Sequence, residues 1–218
     1  MNFNKIIRGN KREQNNEQTV FSILDAGFLC TIAIVHNGIP MIQPTTYGRI
    51  GDTLYFHGSQ KNFVLNSALE NSQICVSVTH LDGIVLARTL FNTSANYRSV
   101  ILFGKAEKVT DENERMLGLQ AITENIIPNR WNEVTLGNEN EVKATMVLKM
   151  KIESASAKVR DCGPQGDEAE EHTNVWSGHI PVKLIAKEPI PDEKFANIPK
   201  ELPESVIAFC KRFRINLL

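Results

Sequence analysis

The sequence predicts a mainly β protein, an antiparallel barrel of short strands with helices at its periphery. Three observations predict it. Six or seven strand-like segments recur between Phe28 and Glu153. Short turn signals separate them, with Asn37-Gly38 the strongest. Only two longer stretches, starting at Phe63 and at Asp111, carry a firm helical period.

The elements follow in order. Residues 1–17 are polar, with Arg8, Lys11 and Arg12 close together, and read as a surface arm. Thr19 to Ala26 is helical, with Val20, Ile23 and Leu24 on one face and Gly27 as its closing glycine. Phe28 to Val35 is an apolar run, hence a buried strand, and the Asn37-Gly38 turn sends the chain back from Ile39. Gly48 to Asp52 is a second turn. The next strand holds Leu54 and Phe56 on one face, Tyr55 and His57 on the other. It ends in Gly58-Ser59-Gln60-Lys61, with Ser59 the expected cap of the helix carrying Phe63, Leu65 and Ala68.

Gln73 to Thr79 is a buried strand, Leu81-Asp82-Gly83 a turn, and Ile84 to Leu90 a further strand. A polar loop, Phe91 to Asn96, feeds a long strand from Tyr97 towards Val109. Thr110 is the expected cap of a helix with acids in its first turn, and Pro128 ends it. Residues 129–142 read as irregular or a short helix. Ala144 to Glu153 alternates apolar and polar residues, a strand with one buried face. Residues 161–174 form an acidic loop, and the proline-bearing stretch 187–218 is an extension of a single domain spanning 1–218.

Composition excludes several classes. Apolar residues are 42% and charged residues 22% of the 218, enough for a real core. A net charge of −1 gives no field for nucleic acid or an anionic membrane. No apolar run approaches about 20 residues, and the N-terminus lacks a signal-peptide core, so the cytoplasm is the expected location. Cys30, Cys75, Cys162 and Cys210 form no C-x-x-C pair, and the five histidines are scattered, so no metal site is expected. Glycine-rich nucleotide loops, H-E-x-x-H and G-x-S-x-G are absent.

The corner Gly58-Ser59-Gln60-Lys61 remains. A helix N-terminus with a hydroxyl and an ammonium beside it can seat a phosphate, or can simply be a capped helix with a solvated lysine.

Several stretches in order then carry a resemblance: IPMIQPTTYGRIGDTLYFHGS, LDGIVLART, NYRSVILFGKAEKVTD, SASAKVR and VWSGHIPV. Together they resemble the pyridoxamine 5′-phosphate oxidase-like split β-barrel flavoproteins, near the nitroimidazole-resistance subgroup. The resemblance implies a split barrel and a homodimer holding FMN at the subunit interface. It implies a phosphate seat at Ser59 and Lys61, next to Gly58, with Arg98 and Ser99 as further phosphate-side positions. Gln43, Pro44 and Thr45 would lie along the flavin ring with their backbone groups on its pyrimidine edge. His57 would sit beside the phosphate or ring, and Trp176 near the flavin. His57 is the one acid–base candidate, since imidazole titrates near neutrality.

Two departures matter. The family's substrate-holding R-x-H is absent, so oxidation of pyridoxamine phosphate itself is not implied. The subgroup's histidine pair before N-Y-R-S is Asn92 and Thr93 here. The reading is therefore an FMN-dependent oxidoreductase acting on a small molecule. A flavin-storage protein, or a barrel for haem, FAD or a deazaflavin, is the alternative, with His80 or His179 serving haem.

Overall fold

The computed structural model describes residues 16–71, 73–166, 174–192, 194 and 201–213. The chain runs α1 (Glu17–Asp25), β1 (Leu29–His36), β2 (Ile39–Thr46), β3 (Gly48–Ile50), β4 (Thr53–Ser59), α2 (Phe63–Glu70) and β5 (Ile74–Leu86). It continues with β6 (Ser94–Gly104), β7 (Ala106–Lys108), α3 (Glu112–Ile126), α4 (Glu139–Ala144), β8 (Thr145–Lys151), β9 (Ser154–Arg160), β10 (Gly178–Pro181) and α5 (Glu204–Phe213). The strands form two antiparallel sheets, β2-β1-β5-β6-β9 with β10 added on β5, and β3-β4-β8-β7. The sheets do not close on each other, so the barrel is split, with its helices at the periphery.

The core lies between the sheets. Ile32, Val76, Val100 and Leu102 meet Leu54, Phe56, Met146 and Leu148, all essentially buried. Val20, Ile23 and Leu24 of α1 and Leu65 of α2 complete it. Each such side chain contributes about 1.5–3 kcal/mol by leaving water. The Asn37-Gly38 hairpin forms as its dipeptide demands, with both residues at positive φ (49° and 78°).

Tyr47 is where the chain changes sheets. It is fully buried between β2 and β3, and its hydroxyl donates to the Leu24 carbonyl at 2.5 Å. Asn125 of α3 donates to the carbonyls of Tyr47 (2.8 Å) and Gly27 (3.1 Å), clamping the same crossing.

Several local expectations are corrected. Ser59 does not cap α2; Asn62 does, accepting from the Leu65 amide at 3.0 Å, so Lys61 precedes the helix. Asp111, not Thr110, caps α3. Leu81-Asp82-Gly83 is no turn: β5 continues through it to Leu86 with a bulge, because β6 pairs with both halves. The strand at Tyr97 stops at Gly104 and β7 joins the other sheet; a side chain at Gly104 would strike the Lys151 carbonyl, so the crossing takes glycine. Gly48 to Ile50 is itself a strand, and only Gly51-Asp52 turns. Gly27 closes α1 without a left-handed φ; it is required because a Cβ there would lie 2.7 Å from the His80 ring. Residues 1–15 of the expected arm, His172 and the middle of the acidic loop lie outside the described residues.

Candidate functional site

Strand β2 is the free edge of the larger sheet, pairing only with β1 among the described residues. Gln43 and Thr45 stand opposite Ile32 and Cys30, so they share the inward face and are half-buried. Pro44 stands opposite Thr31 on the outer face and is exposed. An unpaired edge presents backbone N–H and C=O groups, the chemistry a flavin's pyrimidine ring needs.

Strand β4 ends at the corner. Ser59 accepts from the Lys61 amide at 3.2 Å, and Asn62 then opens α2. Lys61 forms no ion pair with any described residue, and α2 carries no acid in its first turn. The corner therefore keeps a positive field for an anion, with Lys61 poised just before the helix. A Cβ on Gly58 would lie 2.7 Å from the Leu65 side chain, so this glycine lets β4 pack on α2. His57 stands one residue earlier, opposite Val147. Its Nδ1 is buried without a partner among the described residues, and burial pulls its pKa below the ordinary imidazole value. The ring is thus neutral near pH 7, with a nitrogen unclaimed.

Arg98 and Ser99 do not act as one pair. They are neighbours on β6, so they face opposite sides of the sheet. Ser99 shares the outer face with Ile101 and stands between Thr79 and Lys158. Arg98 shares the parity of buried Val100 and Leu102 and lies beyond the end of the core. There it makes a bidentate pair with Asp82, Nε and Nη2 to the two carboxylate oxygens at 2.9 and 2.8 Å. That hydrogen bonding raises its pKa further. The β5 bulge brings Asp82 to face it. Trp176 is 64% exposed and rests its ring on Gly178, so it is not part of the core.

Arg98 also lines a cleft of about 650 Å³ that sequence reasoning missed. Its floor is Gly27, Phe28 and Leu29 with His80 and Leu81, and its wall is the extended segment Val182–Ile185. β10 pairs with β5 and the Val182 amide donates to the Asp82 carbonyl at 3.0 Å, which pins that wall. Arg212 and Phe213 of α5 close the back. Arg212 donates to the carbonyls of Asn125 (2.7 Å) and Asp25 (2.8 Å). No local pattern links residues 27, 80, 98, 183 and 212; only folding joins them.

No group of three or more histidine, cysteine or acidic side chains suited to a metal ion occurs among the described residues. No helix there is long and apolar enough to cross a membrane. Burial drives the Cys30 thiol up to about 12, which makes it inert.

Against this geometry, a family model described as pyridoxamine 5′-phosphate oxidase matches residues 16–159. The chain belongs to that family. It is a flavin-binding family of split barrels. The flavocytochrome Anf3 of Azotobacter vinelandii is 33% identical over 96% of this chain and 95% of its own, with a TM-score of 0.86. An FAD- and haem-binding protein of Mycobacterium smegmatis is 32% identical over 91% of this chain and 97% of its own, at 0.85. A candidate 5-nitroimidazole antibiotic resistance protein of Bacteroides thetaiotaomicron shares the fold at 20% identity and TM-score 0.56, covering 67% of this chain and 86% of its own. No curated protein matches the chain significantly.

Proposed function

We propose that this protein is a flavin-dependent redox protein that carries haem as a second redox group. One observation carries the haem half of the reading. The family model ends at residue 159, yet the likeness to the two flavin- and haem-binding proteins spans more than 90% of the chain. It therefore extends into the C-terminal extension that walls the cleft.

The flavin half rests on β2, the Ser59–Lys61 corner and Ser99. The free edge of β2 bonds the pyrimidine ring, and Lys61 neutralises the phosphate next to the ribityl chain. That phosphate is common to FMN and FAD, so the corner serves either nucleotide. The motif pattern implies FMN; the Mycobacterium smegmatis relative binds FAD. His57 would share a proton through Nδ1, which has no partner among the described residues. A bound flavin supplies hydride and single-electron transfer, and the protein's part is to hold it and exclude water.

The protein acts as a homodimer in this reading. Support comes from the outer face of the larger sheet, which no helix of the described residues covers and which exposes Val35, Ile42 and Ile101. A second copy on that face would shield these residues and bring its own Ser99 to the flavin. The substrate is a small molecule other than pyridoxamine 5′-phosphate, since R-x-H is absent.

The test is the visible spectrum of freshly purified protein, followed by release and identification of its chromophores. Flavin bands with a Soret band are expected. Flavin alone removes the haem half. Neither, with no uptake of added FMN, FAD or haemin, overturns the reading.

A further inference from the structure

We propose that the cleft beneath the C-terminal extension is the haem site, separate from the flavin corner, and that Lys183, Arg98 and Arg212 face the two propionates. The inference rests on the flavin–haem reading above.

The walls are suited to a flat apolar body. Leu29, Leu81, Leu184 and Ile185 are among the exposed large apolar side chains of the described residues, at 57%, 50%, 68% and 48% exposure, and all four line this one cleft. Phe28 and Phe213 line it too, their rings edge-on at 5.9 Å. Exposed apolar side chains gathered in one concavity mark a ligand groove. The 650 Å³ volume falls in the range of roughly 300–1,000 Å³ typical for a ligand of cofactor size.

The charges suit two carboxylates. Arg98, Lys183 and Arg212 line the cleft against a single carboxylate, Asp82, leaving two formal positive charges in excess. Asp82 grips Arg98 through Nε and Nη2, which holds the guanidinium side-on and leaves Nη1 open. Arg212 is held by backbone carbonyls, so no carboxylate neutralises it among the described residues. Lys183 pairs with no described residue. Arginine and lysine beside an apolar slot match a ring that carries its anions at one edge.

The cleft also offers an iron ligand. Among its lining residues only His80 has that chemistry. One imidazole nitrogen, Nε2, lies 2.9 Å from the Ile23 carbonyl, and Gly27 closes against the ring. That contact claims Nε2, so Nδ1 is the nitrogen left for iron.

The experiment is a haemin titration of the full chain, read at the Soret band, with flavin retention measured in parallel. Lys183→Glu places a carboxylate against the propionates, and Leu184→Trp fills the slot from an exposed position. Each is expected to weaken haem binding roughly tenfold or more while flavin retention is unchanged, and Lys183→Arg is expected to bind like the wild type. His80→Ala is expected to shift the Soret and visible bands of the haem complex. Wild-type affinity in both Lys183→Glu and Leu184→Trp would overturn the site, and an unchanged spectrum in His80→Ala would remove the ligand. Loss of flavin instead of haem would assign the cleft to the flavin. A wild type that takes up no haem would overturn the flavin–haem reading itself.

Discussion

The two sheets treat their outer faces differently. On the four-stranded sheet, Tyr55 and Val147 pack with Val109 under Ile122 of α3, and all four are buried. Gly118 lets α3 approach: a Cβ there would lie 2.7 Å from the Tyr55 ring. On the larger sheet, Val35, Ile42 and Ile101 stand on an outer face beside small residues such as Ala33, Ser77 and Ser156. No helix of the described residues packs there, and those three remain 43–70% exposed. The inward faces of both sheets supply the shared core. The lesson is that strand patterning says which residues leave water, while the covering element has to come from elsewhere: α3 supplies it in one case, and in the other the proposed second chain would.

Breaking the covered face has the largest expected effect. Ile122→Ala would cost about 2–5 kcal/mol of folding stability, read from urea unfolding. Ile42→Ala on the bare face would change the unfolding of the dissociated chain by no more than about 0.5 kcal/mol. Equal losses at the two sites would erase the contrast. Next, Ile42→Lys combined with Ile101→Lys would weaken self-association by about 3 kcal/mol, because charges would face charges across the two-fold. Sedimentation should show a dimer become a monomer; a wild type that is already monomeric at micromolar concentration would refute the partner assignment.

The corner sharpens the comparison where the two sheets meet. Lys61→Ala would weaken flavin binding by about 1.5–3 kcal/mol, the value of a charge-assisted contact, with folding unchanged. Stoichiometric flavin after gel filtration of this variant would misplace the phosphate. The smallest effect concerns His57, at the end of the covered face. Its folded pKa is depressed by burial, so the unfolded chain binds the proton first as pH falls. The stability it contributes is present above the ordinary value near 6.5 and is lost as pH drops through the folded value. Urea midpoints should therefore decline more steeply below about pH 6.5 in the wild type than in His57→Gln, and parallel curves would clear His57 of the effect.

Much of the fold was legible in the residues. Asn37-Gly38 formed its hairpin, and Leu54 and Phe56 went to one core and Tyr55 to the other; β8 buried the expected Met146, Leu148 and Met150, but α3 also buries Val147 on the face expected to stay open. These features depend on neighbours one to four residues apart. Boundaries were less legible where two local solutions competed. Ser59 and Asn62 are both good caps, and the tighter seat on Leu65 went to Asn62. Asp82-Gly83 reads as a turn, but pairing along β6 held the strand together through a bulge.

The sequence by itself determined the strand alternation, the hairpin and the family, because each is written in short spans of chain. Only the tertiary structure decided that Arg98 and Ser99 part to opposite faces, that Asp82 holds Arg98, and that residues near 28, 80, 98, 183 and 212 enclose one cleft. The physical reason is separation. Those side chains meet across a bulged sheet and a returning extension, and no local periodicity encodes which distant charges will share a cleft.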